Sequence, residues 1–210
     1  VHESHGVQFR LGTKAKAFKG DGQVQTVELE TGETLSADLV IVGIGVKPAT
    51  DFAEALPLQD NGAVRVDQYL QAAPFVYAAG DIAQFPYFAT GEPVRIEHWR
   101  LALQHGRIAA RNMLGQAVPF KGVPFFWTGQ YDLKLRYVGH AEAWDDVVIQ
   151  GSLEDKEFLA FYAQGEQVMA VAGIGRDRDI AAISELMRLQ QMPTAQQLPQ
   201  IQDWPAQLHP

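Results

Sequence analysis

The predicted fold class depends first on one stretch of the chain, Asp38-Leu39-Val40-Ile41-Val42-Gly43-Ile44-Gly45-Val46-Lys47-Pro48. Five of the eight residues between Asp38 and Lys47 are β-branched and none is charged. This pattern is typical of a strand that is buried on both faces, as in a parallel sheet. Residues 74–81 predict a second buried strand, which ends in Gly80-Asp81. The two stretches together predict an α/β arrangement.

Around these stretches, further strands are expected at residues 7–11, 24–29 and 62–67, and a short helical piece at 51–56. Apolar residues at helical spacing predict a helix over 98–114, with Gly115 at the C-terminal cap. Five short strands are then expected at 125–127, 133–138, 147–150, 158–162 and 167–173, which predicts an α+β part with an antiparallel sheet. The prediction ends with a helix over 179–191, with Asp177 or Asp179 as its N-cap, and an irregular tail from Pro193.

Composition narrows the function classes. The 210 residues carry a formal net charge of −8, which argues against binding of nucleic acid or of an anionic membrane surface. There is no cysteine, which excludes thiol nucleophiles, disulfides and cysteine–metal sites from these residues. No apolar run approaches the length of a membrane span, and no metal-ligand cluster is evident. We expect a cytoplasmic protein and, because the chain starts at Val1 without a leader, a fragment of a longer polypeptide.

The first candidate site is Gly43-Ile44-Gly45, at the end of the first predicted buried strand. Glycines there allow a backbone to approach a ligand closely, because no Cβ intervenes. Lys47-Pro48 prevents a helix from following, so the stretch is not a dinucleotide-binding fingerprint. A tight turn that leaves a sheet is the alternative interpretation.

The second candidate is the pair Gly80-Asp81, at the end of the second predicted strand. Ligands of open α/β sheets lie beyond the carboxyl ends of strands, where a carboxylate can accept a hydrogen bond from a sugar or polyol hydroxyl. An ordinary cap between strand and loop remains an equal alternative.

The third candidate is Arg95-Ile96-Glu97-His98-Trp99, at the start of the predicted helix, with Gln104-His105-Gly106 one to two turns further on. A helix N-terminus offers free N–H groups and a partial positive charge, which stabilise negative charge on a ligand. Glu97 or His98 could also act as an acid or base. The alternative is a capping acid beside a packing tryptophan.

The fourth candidate is Trp127 in Phe125-Phe126-Trp127, since an aromatic triplet can stack against a flat heteroaromatic ring. Packing within the core of the β-sheet is the alternative, and in isolation the better supported one.

The order of these motifs is more specific than any one of them. The chain resembles the FAD-dependent pyridine nucleotide-disulfide oxidoreductases because it carries four motifs in this order: Val-Gly-Ile-Gly-Val-x-Pro, Val-Tyr-Ala-Ala-Gly-Asp, Ile-Glu-His-Trp and Phe-Phe-Trp-Thr-x-Gln-Tyr-Asp. Within them the chain resembles the ferredoxin reductase and apoptosis-inducing-factor-like branch. Residues 135–162 are most similar to the members that carry a Rieske domain.

The resemblance implies three parts: the end of a Rossmann-like NAD(P) domain (1–47), the returning part of a Rossmann-like FAD domain (48–118) and a C-terminal reductase domain (119–210). It implies that both glycine-rich pyrophosphate loops of the family lie upstream. FAD would then be the cofactor and NAD(P)H the co-substrate.

Residue roles follow from the same resemblance. Gly80 and Asp81 match the Gly-Asp pair that holds the flavin ribityl chain, and His98 and Trp99 match the helix start at the flavin. Trp127 matches an aromatic residue beside the flavin ring. Gly43, Ile44 and Gly45 match the strand end along NAD(P)H, and Glu97 matches a residue near the nicotinamide.

The implied function is electron transfer from NAD(P)H through FAD to a ferredoxin, rubredoxin or Rieske-type iron–sulfur acceptor, in a monomer or homodimer. An alternative is a non-catalytic assembly or interaction module, because the pyrophosphate-binding loops are absent from these residues.

Overall fold

The computed structural model describes residues 1–53 and 55–208. It contains two compact units, Val1–Val46 and Lys47–Pro210. The strands are β1 Ala15–Lys19, β2 Thr26–Leu29, β3 Thr34–Ser36, β4 Val64–Arg65, β5 Gln71–Ala73, β6 Val76–Tyr77, β7 Ala83–Pro86, β8 Pro93–Val94, β9 Phe125–Gln130, β10 Leu133–Gly139, β11 Asp146–Ser152, β12 Glu157–Gln164 and β13 Gln167–Ile174. The α-helices are α1 Trp99–Met113 and α2 Asp177–Leu189, and short 3-10 helices lie at Glu3–His5, Asp51–Ala53, Gly80–Ile82, Ala195–Gln200 and Pro205–Gln207.

The first unit is built on a three-stranded antiparallel sheet in the order β1-β2-β3. The strand predicted at residues 24–29 is present as β2, whereas the strand predicted at 7–11 is wrong, because those residues lie outside every strand. Alternation of apolar and polar residues at 7–11 does not by itself show which segment pairs with β2. Ala15–Lys19 is the strand that pairs with β2, with Phe18 opposite Val27.

The prediction of a buried strand at residues 38–48 is also wrong in this structure. The segment forms no strand, and Ile44 is 91% exposed. A strand buried on both faces needs hydrogen-bonded neighbours and covering layers, because its backbone groups must otherwise be satisfied by water. The described residues pair no strand with this segment.

The second unit opens with two small sheets around one core. β4 pairs parallel to β7, which pairs antiparallel to β8, and β5 pairs with β6. The long buried strand predicted at 74–81 is therefore reduced to the two residues of β6. Phe75 has a left-handed φ of 65° and is 97% exposed, so it turns the chain instead of extending it. The helical piece predicted at 51–56 is present only as Asp51–Ala53, and Glu54 lies outside the described residues.

The remainder of the second unit is a five-stranded antiparallel sheet in the order β11-β12-β13-β10-β9. All five predicted strands are present, each extended by one or more residues, and α2 covers the sheet. Its core contains apolar residues from β12, β13 and α2, among them Leu159, Val171 and Ile183. The N-cap of α2 is Arg176 rather than Asp177 or Asp179. Arg176 pairs with Asp179 at 2.5 Å in the first turn, where a carboxylate favours the helix dipole.

The tail from Pro193 is ordered by tertiary contacts, although its composition predicts an irregular segment. Trp204 is fully buried and stacks on Phe161 with ring centroids 5.1 Å apart. Its indole N–H donates to Oε1 of Gln150 at 3.0 Å, and Nε2 of Gln150 donates to the carbonyl of Leu198 at 2.6 Å. The tail therefore completes the core of the C-terminal sheet.

His105 of α1 is fully buried in the core around the small sheets of the second unit. Its ring contacts Phe85 and Phe120 edge-on, at centroid distances of 4.7 and 4.5 Å. Burial lowers the pKa of His105 to about 4. The folded protein therefore holds this imidazole neutral, and Nδ1 can accept a hydrogen bond.

Stability should consequently fall in acid in a way that depends on His105. The unfolded chain, with a pKa near 6.5, binds a proton that the folded chain rejects between pH 6.5 and about 4. The free energy of unfolding should therefore decrease by about 3 kcal/mol as the pH falls through that window, and be unaffected by this group above it. Denaturant unfolding at several pH values measures the slope. The His105→Gln variant, which keeps an acceptor but cannot titrate, should lose this part of the slope, and an unchanged slope would contradict the assignment.

Candidate functional site

The Gly80-Asp81 turn is anchored on helix α1. Gly80 has a φ of 80°, which favours glycine, and a Cβ at this position would lie 3.2 Å from the Cβ of Ala102. The N–H of Gly80 donates to Nδ1 of His105 at 3.2 Å. Gly80 is buried, whereas Asp81 is exposed. The glycine therefore places the Asp81 carboxylate at the surface beside the beginning of α1.

Arg95 connects this turn to the segment that enters α1. Its guanidinium donates to the carbonyl oxygen of Asp81 at 3.0 Å and pairs with Oε1 of Glu97 at 2.7 Å. Sequence analysis included Arg95 in the third candidate motif but assigned it no role. The signal available was its spacing, because residues two apart in an extended segment lie on the same side. Glu97 is thus held near the Asp81 turn by a shared basic residue.

The N-terminus of α1 carries no side-chain cap from any residue that the structure describes. The N-cap residue is His98, with extended backbone angles of φ −158° and ψ 128°, and its carbonyl accepts the N–H of Ala102. Without a capping side chain, the first-turn N–H groups remain available to a ligand. The helix dipole adds a partial positive charge at the same place.

Two tryptophans form an exposed aromatic wall beside that helix end. Trp99 of α1 and Trp127 of β9 meet edge to face with centroids 5.8 Å apart, and they are 61% and 43% exposed. The His98 ring lies between them and Phe126, at 5.4 Å from Trp127 and 4.9 Å from Phe126. Trp127 is thus largely exposed, whereas its neighbours Phe125 and Phe126 pack against the hydrophobic cores.

Two nearby charged groups, Arg100 and Asp81, influence the pKa of His98. Partial burial and then the Arg100 charge lower the pKa of His98, while the Asp81 carboxylate acts in the opposite direction. The Asp81 charge thus reaches the ring that contacts Trp127. The neutral imidazole favoured by this balance can donate from one nitrogen and accept at the other.

The structure therefore brings six of the nine predicted site residues into two linked clusters. Gly80, Asp81 and Glu97 are connected through Arg95, and His98, Trp99 and Trp127 form the aromatic wall. Gly43, Ile44 and Gly45 belong to the first unit and are exposed there, with a left-handed φ of 93° at Gly45. Their role in ligand binding stays a prediction.

These residues fit one end of a flavin. A surface carboxylate suits a polyol hydroxyl, an uncapped helix N-terminus suits a ring edge that carries negative charge, and exposed indoles suit a flat ring. No group of three or more His, Asp or Glu residues within 1–53 and 55–208 could hold a metal ion. No helix in the described part of the chain is long and apolar enough to cross a membrane.

Two family models match the chain. Residues 1–106 match the family "Pyridine nucleotide-disulphide oxidoreductase", and residues 125–203 match "Reductase C-terminal". The second match coincides with the five-stranded sheet, α2 and most of the tail.

Curated relatives are ferredoxin reductases and apoptosis-inducing factors. Apoptosis-inducing factor 3 of Homo sapiens is 37% identical over 192 residues, which are 89% of this chain and 32% of the relative. Putidaredoxin reductase of Pseudomonas putida is 35% identical over 84% of this chain and 43% of the relative. The chain thus spans less than half the length of these two relatives.

Solved structures lead to the same group. A ferredoxin reductase from Rhodopseudomonas palustris matches with a TM-score of 0.86 and 34% identity, over 93% of this chain and 49% of that one. The putidaredoxin reductase–putidaredoxin complex matches with a TM-score of 0.85 and 33% identity, over 94% and 48% of the two chains. These likenesses confirm the predicted fold class, an α/β part from Rossmann-like nucleotide-binding domains followed by an α+β C-terminal part. The chain belongs to the pyridine nucleotide-disulphide oxidoreductase family, in the branch of the ferredoxin reductases and apoptosis-inducing factors.

Proposed function

We propose that this chain is the C-terminal portion of a flavoprotein reductase that passes electrons from NAD(P)H through FAD to an iron–sulfur acceptor. The observation that carries the proposal is the convergence of a carboxylate, an uncapped helix N-terminus and an exposed indole pair in one neighbourhood. The carboxylate comes from the turn after β6, the helix N-terminus from α1, and the indole pair from α1 and β9 together. When bound, FAD supplies the conversion between two-electron and one-electron transfer.

The chain's own residues bind and orient the flavin. Asp81 accepts a hydrogen bond from a ribityl hydroxyl, with Gly80 and His105 holding its turn against α1. The first-turn N–H groups that follow His98 stabilise negative charge on the ring system. Trp99 and Trp127 cover the ring and exclude water from one side, because both present indole surface beside the helix end.

On the nicotinamide side, Glu97 is the residue available for contact. Its ion pair with Arg95 fixes its position and leaves it partly exposed at 34% of its side-chain surface. Gly43, Ile44 and Gly45 would lie along NAD(P)H, since their exposed backbone carries no side chain at the two glycines.

The electron acceptor proposed is a ferredoxin, with a rubredoxin or Rieske-type protein as the other members of the class. Support comes from relatives whose names include ferredoxin reductase components of oxygenase systems, and from the complex of putidaredoxin reductase with putidaredoxin. A cytoplasmic location, a monomeric or homodimeric state and the division of the chain at residues 47 and 118 stay predictions.

A second candidate is an interaction module without catalysis of its own. The exposed apolar side chains of Leu39, Ile41 and Ile44 favour it, because such a stretch is suited to pairing with further strands. The chain would then contribute surfaces to a larger assembly rather than bind a cofactor alone.

The visible spectrum of the full-length parent polypeptide tests the proposal. Flavin absorbance bands that bleach on addition of NADH or NADPH are expected. A purified parent without flavin bands, or with bands that neither nucleotide bleaches, would contradict it. Titration of FAD into the 210-residue chain separates the two candidates, since saturable micromolar binding would count against the interaction module.

Replacing Asp81 by alanine should weaken flavin retention in the parent protein by about 10- to 100-fold. The physical reason is the loss of a charged acceptor, whose hydrogen bond contributes about 1.5–3 kcal/mol. The effect is measured as the flavin that each variant retains after stepwise dilution and dialysis in buffer without denaturant. Asp81→Asn, which keeps an acceptor oxygen, should retain more flavin, and Asp60→Ala, at an exposed carboxylate outside the site, should behave as the unmodified protein. Equal occupancy in all variants would refute the role of Asp81.

Replacing Trp127 by alanine should change flavin binding more than stability. An aromatic contact of about 0.5–1.5 kcal/mol corresponds to a 2- to 10-fold loss of flavin affinity. Trp144→Ala is the matched control, because Trp144 lies in the same C-terminal part and is similarly exposed at 51%. The two variants should show comparable melting temperatures, with the flavin spectrum altered only in Trp127→Ala. A lowered melting temperature with an unchanged spectrum would mean that Trp127 serves only packing.

A further inference from the structure

A cavity lies in the Lys47–Pro210 unit, apart from the residues of the candidate flavin site. It measures about 340 Å³ and is lined by residues from three segments, 87–90, 166–169 and 187–194. None of its lining residues belongs to the two clusters around Asp81 and Trp127. Its volume falls within the range of about 300–1,000 Å³ that is usual for small-molecule pockets.

Methionine dominates the apolar wall of this cavity. The chain has four methionines, and three of them, Met169, Met187 and Met192, line the cavity. A thioether is polarizable and its side chain adapts to irregular shapes, and sulfur makes favourable contacts with aromatic rings. Such a wall suits an aromatic ligand better than an aliphatic one.

Tyr87 provides the cavity with a polar group. The residue is only 4% exposed, but its hydroxyl oxygen is not one of the buried side-chain atoms that lack a hydrogen-bond partner. Burial, and then the nearby Tyr137, raise the pKa of Tyr87 to about 12, so the hydroxyl stays protonated at physiological pH. At the cavity wall the hydroxyl can donate a hydrogen bond to a ligand acceptor in place of water.

The rim of the cavity is held by hydrogen bonds. The carbonyl of Glu166 accepts the N–H of Ala195 at 3.0 Å, and its carboxylate accepts from Nε2 of Gln196 at 2.6 Å. The N–H of Thr194 donates to Oε1 of Gln197 at 2.9 Å. The opening is thereby formed before a ligand arrives, which reduces the entropy lost on binding.

Charge limits the ligand class. The cavity lining contains no lysine, arginine or histidine, and its single carboxylate, Glu166, is already engaged by Gln196. An anionic ligand would find no counter-charge and would be repelled by Glu166. A neutral ligand meets no such penalty.

We propose that this cavity is a binding site for a small, neutral aromatic molecule that carries a hydrogen-bond acceptor. Its ring lies among Met169, Met187 and Met192, and its acceptor accepts a hydrogen bond from the Tyr87 hydroxyl. The site is separate from the candidate flavin site, and its ligand is of a different chemical class from FAD.

The test uses 4-fluoroacetophenone, a neutral aromatic ketone, as the probe. Fluorine NMR of the probe with the 210-residue chain should show saturable line broadening, with a dissociation constant of about 0.1–1 mM for a ligand of this size. Absence of saturation up to about ten times that range would overturn the proposal.

Two variants locate the site. Met192→Trp fills the cavity and should reduce binding at least tenfold, whereas Met113→Trp, at the methionine outside the cavity, should leave it unchanged. Equal binding by both variants would overturn the proposal. Tyr87→Phe keeps the ring and should weaken the ketone about 5-fold or more while leaving fluorobenzene, which has no carbonyl acceptor, unaffected. Loss of both probes equally, or of neither, would contradict the role of the Tyr87 hydroxyl.

Discussion

The hydrogen bond from the Gly80 N–H to the buried imidazole of His105 holds the candidate site together. It contributes only about 1 kcal/mol, yet it sets the position of the turn that bears Asp81. The imidazole can accept because burial between two phenylalanine rings keeps it neutral. A side chain larger than hydrogen at Gly80 would meet Ala102, so the turn and helix α1 approach as closely as glycine allows. The packing of the turn against α1 therefore also fixes the position of Asp81 in the candidate site.

The tryptophans of the second unit differ in how much of their surface reaches solvent. Trp204 is fully buried, stacks on Phe161 and has its indole N–H paired with Gln150. Trp99 and Trp127 leave much of their surface in solvent although they contact one another. An exposed pair of indoles is a costly arrangement for a soluble surface unless a ligand or partner covers it. The proposed flavin ring is such a covering group.

The strongest sequence predictions concern segments whose partners are close along the chain. The antiparallel strands β9–β13 and helix α1 follow from alternation, turns and helical spacing, because hairpins and helices are stabilised mainly by near neighbours. The buried strands expected at residues 38–48 and 74–81 required distant neighbours in a parallel sheet. Composition showed that such segments are suited to burial, but burial itself depends on what covers them. The tail shows the opposite outcome: its polar composition predicts an irregular segment, yet its Trp204 is fully buried in the core.

The sequence by itself determined the family resemblance, the antiparallel C-terminal sheet and the choice of Asp81, Trp99 and Trp127 as candidates. It did so because motifs and periodicity are local properties that can be read along the chain. Only the tertiary structure decided that Arg95 joins Asp81 to Glu97, that His98 contacts Trp127 and that three methionines share a cavity with Tyr87. Apart from the Arg95–Glu97 pair, these contacts join segments many residues apart, and the free energy of packing, rather than any local pattern, selects them.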